Sequence, residues 1–72
     1  MTIKNLPSIC GIDKVKIYKD NVVLIEQWVS GASLHWYFDE VETLKQFKDC
    51  EVDYLEMCPE EYEIVVCEIY LK

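Results

Sequence analysis

The sequence predicts an α+β domain: a mainly antiparallel sheet of about five strands, ordered βββ-α-ββ, with one helix packed on one face. Three observations carry this. Residues alternate apolar and polar over Val15–Lys19, Leu34–Phe38 and Tyr62–Leu71. Val22–Val29 is rich in β-branched and aromatic residues. A single apolar stripe, Val41, Leu44 and Phe47, follows a capping residue at Asp39.

Residues 1–12 are expected to be irregular, broken by Pro7 and Gly11, with room for one helical turn capped by Asn5. Val15–Lys19 and Val22–Val29 flank Asp20-Asn21, a turn dipeptide, and form a hairpin. Ser30-Gly31-Ala32-Ser33 is a second turn, and Leu34–Phe38 follows it as a third strand. Asp39, with Glu42 three residues on, opens a helix over roughly residues 40–49, and Lys45 and Lys48 suit its C-terminal dipole. Val52–Met57 is the fourth strand and Tyr62–Leu71 the fifth, joined through Cys58-Pro59-Glu60-Glu61.

The 72 residues form one small domain, residues 1–72, with room for one modest core. An apolar fraction of 51% argues against disorder. Charge is unevenly spread. Residues 1–38 carry four lysines and three acids, whereas residues 39–71 carry eleven acids and two lysines, within a total of −7. There is no arginine, the residue best shaped to clamp phosphate, and no basic patch, so direct nucleic-acid binding is not expected. The longest aliphatic run, Val22–Ile25, falls far short of the ~20 residues of a membrane span, so no membrane partner is expected. With no signal-peptide pattern at the start, a cytoplasmic setting is the expectation.

Cys10, Cys50, Cys58 and Cys67 lack zinc-site spacing, and Cys67 lies within an apolar run, so reduced thiols and no metal are expected. His35, the one histidine, lies near Asp39 in sequence but on a half-apolar stretch where a structural role is commoner than catalysis. The acids at 49, 51 and 53 and at 60, 61 and 63 lack calcium-loop spacing. No catalytic residue and no cofactor are expected, so the chain reads as a non-enzyme.

The sheet face turned away from the helix attracts the functional interest. By alternation it holds Tyr18, Leu24, Glu26, Trp28, His35, Tyr37, Val52, Tyr54, Glu56, Tyr62, Ile64, Val66, Glu68 and Tyr70. Aromatic residues with a polar handle are enriched at interfaces. Two readings stand: a partner covers this face, or residues 1–13 fold across it through Ile3, Leu6, Ile9 and Ile12. The functional expectation is a small acidic protein-binding module, an inhibitor or nucleic-acid mimic acting on a larger protein with a basic surface. Its contact residues would be Trp28, Tyr37, Tyr54, Glu56, Glu60, Glu61, Tyr62 and Glu63. Size and charge together have the character of small inhibitors carried by phages and mobile elements, an analogy of composition alone. The alternative is a self-associating structural protein, a homodimer through the aromatic face.

Overall fold

A computed structural model describes residues 1–61 and 63–72, with backbone alone for 59–61. Four strands and two short helices follow a 3-10 turn at Ile3–Asn5: β1 Lys14–Lys19, β2 Val22–Trp28, α1 Leu34–Glu40, α2 Glu42–Lys45, β3 Val52–Glu61 and β4 Ile64–Leu71. The sheet order is β2-β1-β4-β3. Both hairpins are antiparallel, and β1 lies parallel to β4 between them. The expected α+β class holds. The sheet is mixed rather than mainly antiparallel, and it has four strands rather than about five.

The missing strand is Leu34–Phe38, which forms α1 instead. Its alternation of Leu34, Trp36 and Phe38 competes with a helical pattern of Leu34, Tyr37, Phe38 and Val41, at i, i+3, i+4 and i+7. The helical pattern wins because those residues meet the core: Leu34, Tyr37 and Phe38 are buried, while Trp36 is exposed. Ser33 caps α1, its Oγ accepting from the Trp36 amide at 3.4 Å. Gly31, at φ +80°, supplies the left-handed bend before it.

Asp39 is therefore the sixth residue of α1 and not a cap; it pairs with Lys48 at 3.7 Å. The helix expected over 40–49 is reduced to α2 and the turns after it, because Val41 is extended at φ −82°, ψ 117°. The amides of Leu44, Phe47 and Cys50 donate to the carbonyls of Val41, Leu44 and Phe47. A strict spacing of three fits this 3-10-like geometry better than an α-helix.

The turn at Asp20-Asn21 forms as expected, with φ +53° and +64°, the conformation of a two-residue hairpin loop. Val15 and Ile17 of β1 and Cys67 and Ile69 of β4 are fully buried under α1 and α2. Central parallel strands need such cover. The helix at Asn5 does not form as expected: the 3-10 turn ends there, and Thr2 precedes it. Ile3 and Ile12 are buried, with Leu6 and Ile9 packed beside them on the same core. The Leu34 amide donates to Ile9 O at 2.8 Å. Residues 1–13 thus join the helical layer and leave the other face of the sheet alone. None of the described helices is long and apolar enough to cross a membrane.

Candidate protein-docking face

Strand register arranges the second face in three rows running across the sheet. The first is Trp28, Lys14, Val66 and Cys58; the second is Glu26, Lys16, Glu68 and Glu56; the third is Val23, Tyr18, Tyr70 and Tyr54. β1 supplies the central lysines because Val15 and Ile17 alternate with them into the core.

The third row is an aromatic ladder. Tyr18 stacks on Tyr70 at 4.7 Å between ring centroids, and Tyr70 on Tyr54 at 4.3 Å, each pair within 10° of parallel. Cross-strand aromatic pairs of this kind stabilise a sheet and pre-order a contact surface. Leu24 is an extra residue in β2, at the register shift opposite Ile17 and Tyr18, and it lies exposed beside the ladder.

The second row is ionic. Lys14 Nζ lies 3.2 Å from Glu26 Oε1, and Lys16 Nζ 3.9 Å from Glu26 Oε2. Lys14 is only 5% exposed, with its ammonium 4.3 Å from the centroid of the Trp28 ring. Trp28 covers this cation while remaining 59% exposed itself. The Tyr18 hydroxyl donates to Glu68 Oε2 at 2.6 Å. That bond lowers the Glu68 carboxyl from its usual range, with a further contribution from the Cys58 thiol. It also raises the Tyr18 hydroxyl, with burial adding to the effect.

Glu56, Cys58 and Glu68 place one carboxylate or thiol atom each within 4.8 Å of the others, the only such donor group among the described residues. A hydrogen bond to Glu68 raises the Cys58 thiol above its ordinary value, and burial and Glu56 add to that shift. All four cysteines are free.

The expected contact residues divide. Trp28, Tyr54 and Glu56 share the second face. Tyr37 does not: α1 turns it into the core, where its hydroxyl accepts from the Ala32 amide at 3.1 Å. His35 and Val52 leave the face as well, His35 with α1 and Val52 into the core. Glu63 is exposed in the second hairpin turn at φ +67°. Tyr62 and the side chains of Glu60 and Glu61 lie outside the described residues.

Sequence reasoning places Tyr18, Glu68 and Tyr70 on this face but not among the contact residues, and it leaves Lys14 and Lys16 off the face although both alternate with Val15 and Ile17. His35 Nε2 donates to Leu6 O at 2.7 Å, and its amide donates to Ser8 Oγ at 3.3 Å, so it ties the N-terminal segment to α1. A cavity of about 180 Å³ beside it is lined by Ile3, Lys4, Phe38, Asp39 and Lys48 and contains no nucleophile paired with a base. Comparisons with protein-family models, with curated proteins and with solved structures find no match to this chain.

Proposed function

We propose that this chain is a non-enzymatic protein-binding module that docks its second sheet face on a larger protein with a basic surface. Inhibition or nucleic-acid mimicry is the consequence. One observation carries the reading: a pre-stacked Tyr18–Tyr70–Tyr54 ladder shares with exposed Trp28, across the ionic row, a face that residues 1–13, α1 and α2 leave uncovered. Rigid aromatics in an apolar and polar mixture are what interface centres use. The acids are concentrated on the β3–β4 side of that face, with Asp53, Glu56 and Glu68 on the strands and Glu63 in the turn, whereas β1 brings lysines. A basic partner is therefore oriented with its positive surface over β3 and β4.

Retention of a basic protein on the immobilised chain tests this. Trp28→Ala and Tyr54→Ala should each weaken binding by about 2 kcal/mol, mainly through a faster off-rate. Glu56→Gln with Glu63→Gln should slow association and flatten its salt dependence, since exposed charges act over ~8–10 Å at physiological salt. A partner indifferent to both aromatic substitutions would remove this face from the proposal.

A further inference from the structure

We propose that the free edge of β2 pairs antiparallel with the β2 edge of a second copy, joining two four-stranded sheets into one continuous sheet. The inference does not rest on the docking function above. β2 is an edge strand, so one row of its backbone amides and carbonyls has no strand partner among the described residues. Val22, Val23, Leu24 and Trp28 on this single strand account for half of the large apolar residues that are exposed among the described residues. Natural edges are ordinarily blunted with charge or proline. β2 has no proline, and its one charge, Glu26, is already engaged by Lys14 and Lys16.

The opposite edge differs. β3 carries Asp53, Glu56, Glu60 and Glu61 and contains Pro59, so two copies meeting there would bring like charges together. Charge thus selects which edge a second copy occupies. The register follows from self-complementarity. A twofold axis at Ile25 sets Glu26 opposite Leu24 of the other copy, so the two Glu26 carboxylates never face each other. The extra residue at Leu24 twists the strand and limits how far pairing extends. The assembly closes at two copies because the twofold pairing consumes the one edge suited to it.

Sedimentation velocity on the full chain, from about 1 µM to about 100 µM, tests the proposal. The wild type should move from monomer to dimer over that range. Leu24→Lys and Val22→Lys, at exposed sites where circular dichroism will report an intact fold, should each weaken the dimer at least ~10-fold. Added salt should tighten it, because each copy carries −7. Hydrogen exchange should slow in β2 alone as concentration rises. A wild type that stays monomeric throughout overturns the proposal. So does a dimer that survives both lysine substitutions, or one that Tyr54→Ala disrupts instead, which would place the contact on the sheet face. Because no other protein enters the measurement, its failure leaves the docking face untouched.

Discussion

Glu68 is where the second face concentrates its electrostatics. It accepts from Tyr18, neighbours Glu56 across the β3–β4 ladder, and lies beside the Cys58 thiol. Its folded carboxyl titrates below the ordinary range because Tyr18 and Cys58 donate to the ionised form. A depressed acid contributes stability above the unfolded carboxylate value of about 4.3, and that contribution is lost as pH falls through the folded value. Tyr18 has the opposite sign. Its raised hydroxyl contributes below about pH 10 and loses that contribution as pH rises through the folded value. Tyr18→Phe should therefore move the Glu68 carboxyl midpoint upward in a carbon-detected NMR titration and weaken stability at neutral pH by about 1 kcal/mol. An unmoved Glu68 midpoint would mean that the bond does not set its acidity.

α1 depends on local devices that can be tested separately. Ser33→Ala should cost about 0.5–2 kcal/mol, at the lower end because the capping contact is long. Gly31→Ala should cost about 1–2 kcal/mol from conformation alone: φ is +80°, and an added Cβ meets nothing within 4 Å. Asp39→Ala should cost at most ~1 kcal/mol, since it removes an exposed pair with Lys48 rather than a cap. Urea denaturation of the three variants checks the order, and Asp39→Ala as the most damaging would contradict the observed helix start.

As a whole molecule, the domain rests on one core between the sheet and a layer made of residues 1–13, α1 and α2. Stability of ~0.05–0.15 kcal/mol per residue leaves little margin. Leu44 of α2 is fully buried, and Leu44→Ala should cost about 2–5 kcal/mol, enough to populate the unfolded chain. The cysteines report this opening. Cys10 is exposed and should react with a thiol reagent at once, whereas Cys67 is buried in β4, with burial pushing its thiol up to about 12. In the wild type, Cys67 should be labelled only through global opening, and Leu44→Ala should speed that labelling while leaving Cys10 unchanged. Prompt labelling of Cys67 in the wild type would show that the core is not closed.

The first hairpin with its Asp20-Asn21 turn, the buried alternation of Val15 and Ile17 and most of the second face were legible in the sequence; the second hairpin was legible as two strands, but the loop expected at Cys58-Pro59-Glu60-Glu61 is the end of β3. A period of two depends only on the pleat, and a two-residue turn only on its own backbone. Tertiary structure decided Leu34–Val41. Five residues support two periods equally, and the choice fell to whichever pattern could bury Leu34, Tyr37 and Phe38 against β1 and β4. That one choice removed a strand and moved Tyr37 and His35 off the candidate face. Strand order is equally non-local. Which edges stay free, and so the exposure of β2, depends on how the chain returns after α2, and no residue within β2 encodes that.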